Sequence, residues 1–475
     1  MVSLGENYNK VTPEIIAELK NIAGPDNVAT DELAIEAYSY DESGKVYARM
    51  PDVVVKPENT QQVSSVMKLA NRERIPVTAR GAGSGIAGGA IPIEGGILLS
   101  LERMNRVLEI DKINRVAVVE PGVVTNDLCQ MVLKEGLMYA GYPMSTETSF
   151  IGGNIATNAG GAKVIRYGST RRHVLGIEVV LPTGDVLQLG GRIRKQTWGY
   201  DLLQIIIGSE GTLGVVTKAI LNLEPAPGDT VTFLAPFPSI EEAVEAVAAI
   251  LRAGVVLMAC EFMDQLSAKC ATQYHNTTFP MQDEAKAFLI IQVEGQTPEQ
   301  LDMYIEKVGE TCLEHGAMEV FTAESSTESR NIWKVRESFA EAVRAVDPNA
   351  SLSGDMVVPM SKISEMVKAV EEAAKKYDIT IALGGHIADG NIHPLFFKPD
   401  RIPLEEWPDF VENIVDELIG VAISLGGVGS GEHGVGFLKK HTFMKYEAKS
   451  KLEVMRGIKR AFDPNGILNP GKLFE

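Results

Sequence analysis

The sequence predicts an α+β protein of more than one domain, on three observations. A βαβ pattern near the N-terminus runs into short β-branched strands separated by glycine. Pro225, Pro227 and Gly228 then break the texture, and from there to about residue 425 strands alternate with capped amphipathic helices. The chain has 475 residues, 45% of them hydrophobic, so at about 150 residues per domain it can bury several cores. The boundaries fall at 1–225, 226–425 and a glycine-rich C-terminal segment, 426–475.

The elements follow in order. Thr12-Pro13-Glu14 reads as an N-cap followed by proline at the first helical position, with Ile15, Ile16 and Leu19 as the apolar stripe. Val53-Val54-Val55 reads as a buried strand, Asn59 to Asn71 as a helix with Val63, Val66, Met67 and Ala70 inward, and Ile75 to Thr78 as the returning strand. From Ile97 to Leu223 short runs such as Val116–Val119, Ile177–Val180 and Val215–Thr217 predict sheet with few helices. Ser239-Ile240-Glu241-Glu242 and Thr297-Pro298-Glu299-Gln300 are capping-box starts, and Lys362 to Lys376 is a further amphipathic helix.

Composition excludes several functions. The net charge of −18 disfavours a phosphate-backbone partner, since nucleic-acid binding needs a basic face. Cys129, Cys260, Cys270 and Cys312 form no CxxC pair, so neither a disulfide framework nor a chain-borne iron–sulfur cluster is indicated, and a reducing cytoplasm is expected. The start Met1 to Asn7 has neither a basic nor an apolar leader region, and no run reaches the roughly 18 apolar residues of a membrane span.

The 45 glycines are clustered, which marks places where backbone must approach something closely. Arg80 to Gly89 contains a literal G-x-G-x-x-G at Gly83, Gly85 and Gly88, directly after a strand. A Rossmann site needs a helix to begin at the third glycine; here Ala90-Ile91-Pro92-Ile93-Glu94-Gly95-Gly96 follows, which no helix survives. The loop is then either an anion nest or a plain turn. A second cluster, Ile151 to Gly161, interleaves glycines with Asn154, Thr157 and Asn158, and a third runs from Gly208 to Gly214. Together they suit a large, flat, polar-edged cofactor.

With these loops, the run from Pro51 to Leu223 resembles the FAD-binding domain of the vanillyl-alcohol-oxidase/PCMH flavoprotein superfamily. The likeness extends over nearly the whole chain, to the branch of D-lactate dehydrogenases, D-2-hydroxyglutarate dehydrogenases and the FAD subunit of glycolate oxidase. The resemblance implies a two-part PCMH-type FAD-binding domain and an α+β cap domain for substrate. It implies that Arg80, Gly81, Ala82, Gly83, Ser84 and Gly85 wrap the FAD pyrophosphate, with Gly88 and Gly89 completing the loop. Pro143, Ser145, Thr146, Gly152, Gly153, Asn154, Thr157, Asn158, Gly160, Glu210, Gly211, Gly214 and Val216 are then expected to line the flavin and adenine ends. Relatives with covalent FAD carry a histidine two or three residues after the Arg-Gly pair, where Gly83 and Ser84 stand, so FAD is expected to be non-covalent. Phe462 to Lys472 matches the closing motif whose Asn, here Asn469, approaches the flavin, so the C-terminal segment is expected to return to the first domain and complete the FAD and active site.

Three of seven histidines sit in two glycine-rich motifs, Gly385-His386-Ile387-Ala388-Asp389-Gly390-Asn391-Ile392-His393-Pro394 and Gly431-Glu432-His433-Gly434. Two imidazoles seven residues apart, joined by a distant Glu, can hold a divalent ion and leave positions open for substrate. They can equally serve as hydrogen-bonding turn residues. His173, His275, His315 and His441 read as ordinary core or surface residues. The resemblance makes His386, His393 and Glu432 ligands of a divalent metal (Fe2+, Zn2+ or Mn2+) and His433 the base. It also makes Arg336, in Trp333-Lys334-Val335-Arg336, the partner of the substrate carboxylate; a plain helix-face ion pair is the alternative for that arginine.

Hydroxyglutarate enzymes carry polar residues where this chain has Ala340 and Leu395, and a second buried carboxylate would lack partners. The expected reaction is oxidation of a small D-2-hydroxyacid, D-lactate to pyruvate, with glycolate or D-2-hydroxyglutarate as alternatives. The electrons would pass to a separate protein, an electron-transfer flavoprotein or an iron–sulfur subunit. Two rivals of other classes stay open, a metal-dependent hydrolase and a non-catalytic FAD electron-transfer subunit.

Overall fold

The computed structural model describes residues 8–474; the stretch Met1–Asn7, read above for a leader, lies outside them. The chain divides into two compact units. Unit 1 comprises Met1–Gly160, Ser169–Ala226 and Glu432–Glu475; unit 2 comprises Gly161–Gly168 and Pro227–Gly431. Each mixes helix and sheet, as an α+β chain should. The short stretch Gly161–Gly168 groups with unit 2, and the chain re-enters unit 1 at Glu432.

Unit 1 holds two principal sheets. The first has the order Val28–Ala29, Val53–Val55, Ile97–Ser100, Val77–Arg80, and its last three strands are parallel. Val53, Val54 and Val55 are each fully buried, the continuous apolar run of a strand covered on both faces. The crossover helix Thr60–Glu73 begins where the Asn59 side chain accepts the Gln62 N–H (3.0 Å), and it turns Val63, Val66, Met67, Leu69 and Ala70 inward. Each of the buried Val, Met and Leu side chains contributes about 1.5–3 kcal/mol. The returning strand spans Val77–Arg80, two residues later than its β-branched text suggests. The cause is non-local: the Val77 N–H donates to the Ile467 carbonyl (2.8 Å) and the Asn469 N–H donates to the Val77 carbonyl (2.7 Å). The C-terminal segment thus extends the edge of this sheet.

The second sheet is antiparallel, in the order Val107–Asp111, Val116–Val119, Val215–Asn222, Val174–Val180, Val186–Gly190. The second glycine cluster differs from its loop-like text: Ile151–Thr157 is a short helix. Helix propensity argues against two adjacent glycines, but packing overrides it, because a Cβ at Gly152 would stand 2.6 Å from Pro121.

Unit 2 is built on a seven-stranded sheet, in the order Phe321–Thr322, Asp229–Phe237, Ala287–Gly295, Leu257–Asp264, Ile381–His386, Asn391–Phe396, Met356–Val357. Its helices start where the caps predict: the Glu242 N–H donates to Ser239 Oγ (3.2 Å) and the Gln300 N–H to Thr297 Oγ1 (3.3 Å). The helix Ile363–Tyr377 buries Ile363, Met366, Val367, Val370 and Ala373. Among the described residues no helix is long and apolar enough to cross a membrane.

Candidate functional site

Unit 1 presents backbone. At the end of the strand Val77–Arg80 the chain enters the first glycine loop around its own arginine. Arg80 is buried and donates from Nη1 to the Tyr40 carbonyl (2.7 Å). Gly83 sits at φ +77°, and a Cβ there would stand 2.1 Å from Arg80 Nη2, so only glycine fits. Ala82 and Ser84 flank this turn. A Cβ on Gly81 would lie 3.5 Å from the Gly153 nitrogen, whereas Cβ atoms on Gly85 or Gly153 would meet nothing within 4 Å. The first two glycine clusters therefore approach each other at Gly81 and Gly153, and at Gly85 and Gly153 the backbone faces open space, which leaves room for a flat cofactor.

Several residues read from sequence as cofactor contacts also hydrogen-bond within the frame of the unit. Asn154 donates from Nδ2 to Thr125 Oγ1 (2.8 Å), and Thr157 Oγ1 donates to the Gly153 carbonyl (3.2 Å). Asn158, left-handed at φ 53°, accepts from the Arg171 N–H (2.9 Å) and Ser169 Oγ (3.0 Å). The Ser149 N–H donates to the Ser145 carbonyl and the Asn126 N–H to the Thr146 carbonyl, which shapes the turn after Pro143. Gly160 is buried at the edge of the unit. In the third cluster Glu210 is buried, and its carboxylate accepts the N–H groups of Val435 (2.8 Å) and Gly436 (2.7 Å). Burial pushes this carboxyl up, and the two amides pull it back. Gly211 is left-handed, a Cβ at Gly214 would strike Val179 at 2.5 Å, and Val216 pairs with Val179 in the sheet. Asn469 donates from Nδ2 to the carbonyls of Gly89 (3.1 Å) and Glu210 (2.8 Å).

Unit 2 presents side chains. His386 ends one strand and His393 lies in the next, Ile381–His386 and Asn391–Phe396, a hairpin whose turn needs glycine. Gly390 is at φ +86° and a Cβ there would lie 2.0 Å from the Val358 carbonyl. Both imidazoles are buried, edge to face, with ring centroids 5.4 Å apart. Pairing of Phe262 with Gly385 and of Met263 with Gly384 sets the strand Leu257–Asp264 so that Glu261 meets His386. His386 Nδ1 lies 2.8 Å from Glu261 Oε1, and Arg336 Nη2, from the helix Ser326–Glu337, lies 2.6 Å from Glu261 Oε2. Arg336 is thus paired with Glu261, not with neighbours on its own helix face. It is 4% exposed and Glu261 fully buried, and Arg336 Nε has no hydrogen-bond partner among the described residues.

An Nδ1 beside a carboxylate carries the proton, which places the lone pair on Nε2, the usual arrangement of a metal-ligating histidine. His393 makes a longer Nδ1 contact to the Gly354 carbonyl (3.4 Å), with Asp355 Oδ1 at 3.8 Å. Asp355, fully buried, also accepts from Asn391 Nδ2 (3.1 Å), Ser430 Oγ (2.6 Å) and the Gly431 N–H (3.0 Å). It ties the histidine hairpin to the segment that the chain continues as Glu432-His433. In unit 1, His433 Nε2 lies 3.8 Å from Glu432 Oε1, and Gly434, left-handed at φ +83°, is pressed against Glu210. The donor chemistry of His386 and His393 fits a divalent ion. Glu261 and Asp355 were not singled out from sequence. Glu261 had a legible signal, a charge inside the apolar run Leu257-Met258-Ala259-Cys260-Glu261-Phe262; Asp355 had none.

Two protein-family profiles match the chain: an FAD binding domain over residues 51–190 and the C-terminal domain of FAD linked oxidases over residues 226–473. The glycolate oxidase subunit GlcD of Bacillus subtilis is 39% identical over 464 residues, 98% of this chain and 97% of that protein. A D-lactate dehydrogenase of Anaerostipes hadrus is 36% identical over 474 residues, 98% of each chain. Among solved structures, p-cresol methylhydroxylase with substrate bound shares the fold, with a TM-score of 0.81 at 21% identity over 97% of this chain and 96% of its own. Bare glycine backbone in unit 1 and matches spanning both units lead to one conclusion: the chain belongs to the FAD-linked oxidase family.

Proposed function

We propose that this protein oxidises a small D-2-hydroxyacid, D-lactate to pyruvate, using non-covalent FAD and a divalent ion, and passes the electrons to a separate protein. The observation that carries this reading is the buried Glu261, whose two oxygens meet an arginine and a histidine. One carboxylate thereby orients both a carboxylate-binding fork and an imidazole lone pair. Arg80 to Gly89, the cluster from Gly152 to Gly160, the loop at Glu210 and Asn469 would hold FAD. His386, His393 and Glu432 would hold the ion (Fe2+, Zn2+ or Mn2+). When bound, FAD supplies a two-electron acceptor and the ion a Lewis acid for the substrate hydroxyl.

The remaining steps belong to the chain. Arg336, paired through Nη2 with Glu261 and with no hydrogen-bond partner at Nε among the described residues, would bind the substrate carboxylate through its guanidinium. His433 takes the hydroxyl proton on an imidazole nitrogen, acting as a general base. Glu261 holds His386 and Arg336 in register and is not itself consumed. Leu395 is buried and apolar and Ala340 offers no hydrogen bond, which favours a monocarboxylate over hydroxyglutarate; glycolate satisfies the same requirement. The four cysteines are free thiols, which suits a reducing cytoplasm and an acceptor on another chain, an electron-transfer flavoprotein or an iron–sulfur subunit.

Anaerobic addition of D-lactate should bleach the oxidised flavin band near roughly 450 nm. A flavin left oxidised by every small D-2-hydroxyacid would sink the proposal. Bleaching by glycolate alone would move the substrate, not the chemistry.

A further inference from the structure

Two lysines of the C-terminal segment, Lys459 and Lys472, are each only 1% exposed. A buried ammonium is costly unless its protons find oxygens, and here each lysine takes at least one from a glycine loop, Gly88 for Lys472 and Thr212 for Lys459. Lys472 Nζ donates to the carbonyls of Gly88 (2.7 Å) and Ile91 (2.6 Å). Lys459 Nζ donates to the Thr212 carbonyl (3.0 Å), to Asp463 Oδ2 (2.7 Å) and to the Leu468 carbonyl (2.7 Å). Between them the Asn469 amide spans the two loops through Gly89 and Glu210. The grip is returned, since the Glu210 carboxylate holds the Val435 and Gly436 amides. The Phe437 ring closes on Gly88, where a Cβ would stand 2.3 Å away.

A loop of glycines has no side chains with which to choose its own conformation, so its shape must be imposed from outside. A loop that offers N–H groups to an anion turns its carbonyls elsewhere, and carbonyls are what these side chains take. We propose that Lys472, Lys459 and Asn469 form a latch that imposes the binding shape on the first and third glycine loops, so that FAD retention depends on the docked C-terminal segment. The two lysines are positioning residues, acting on the cofactor through the backbone they hold.

The same burial makes the latch sensitive to pH. Desolvation drags the Lys472 ammonium down to about 7; Asp41 and Glu210, facing it, hold it up, and Lys440 pushes it further down. Lys439 stands beside Glu210 and favours that carboxylate's charged form. Above pH 7 Lys472 sheds its proton, its grip on the carbonyls weakens and FAD affinity falls.

The test is a titration of the full-length apoprotein with FAD, followed by flavin fluorescence, for the wild type, Lys472→Met and Lys459→Met. Hydrogen bonds to charged groups are the stronger class, so each variant should bind FAD at least about tenfold more weakly at about pH 6.5. Wild-type affinity should itself drop about tenfold between roughly pH 6.5 and 8.5, and Lys472→Met should be flat across that range. A Lys472→Met protein with wild-type affinity, or with the wild-type pH slope, would overturn the latch. Should that variant not fold, as judged by its circular dichroism, proteolysis of the wild type decides. FAD must slow cleavage within residues 449–472 about tenfold or more, as expected for a segment coupled to ligand; equal rates with and without FAD count against the proposal.

Discussion

At Gly85 and Gly153 unit 1 meets open space with bare backbone, whereas unit 2 gathers Arg336, His386 and His393 against buried carboxylates. The contrast teaches which mutations each region can bear. A backbone cradle ignores side-chain charge but cannot tolerate a Cβ where φ is positive. A side-chain cluster tolerates small shape changes but not the loss of a counter-charge, because the low dielectric that strengthens each pair also penalises each orphan.

Chelation by EDTA should separate the two regions most sharply. Removal of the proposed ion would take away a Lewis acid worth several kcal/mol of barrier, hence about a thousandfold in turnover, while FAD stays bound; loss of both together would count against two independent ligand sites. Glu261→Gln comes next. Removing its charge leaves Arg336 and His386 buried without their counter-charge, so affinity for the proposed ion should fall about 10–100-fold, with stability lower by about 3–5 kcal/mol. Isothermal titration and thermal melting check these two figures, and FAD affinity should not move. Arg336→Lys keeps the charge but loses the fork, and KM for D-lactate should rise about tenfold or more with FAD binding unchanged.

Gly83→Ala reverses the pattern. A Cβ at φ +77° against the held Arg80 costs about 1–2 kcal/mol, which should appear as roughly tenfold weaker FAD binding with metal affinity intact. Asn59→Ala removes only a helix cap, about 1 kcal/mol of stability, and should leave both ligands' affinities as they were.

Much of the architecture was legible because it is local. Thr12, Ser239 and Thr297 announce their helices by caps, and Val53 to Val55 announce a covered strand by continuous apolar text. The helix over Ile151–Thr157 was not legible, since the contact with Pro121 that requires Gly152 is set by a residue about thirty positions away. Arg336 and the histidines could be singled out by residue type and motif, but the partner of Arg336 could not. Glu261 reaches it only through the strand register that pairs Phe262 with Gly385.

By itself the sequence determined what is encoded in neighbours: caps, strand texture, the proline-glycine break after Pro225, the glycine motifs of an FAD-linked protein and the histidine motifs proposed to hold a metal. Only the tertiary structure decided which charges meet. Pairing of Ile467 and Asn469 with Val77, of Glu261 with Arg336 and of Lys472 with Gly88 joins residues from about 75 to nearly 400 positions apart. Such contacts depend on how sheets and tails pack, and no local propensity records them.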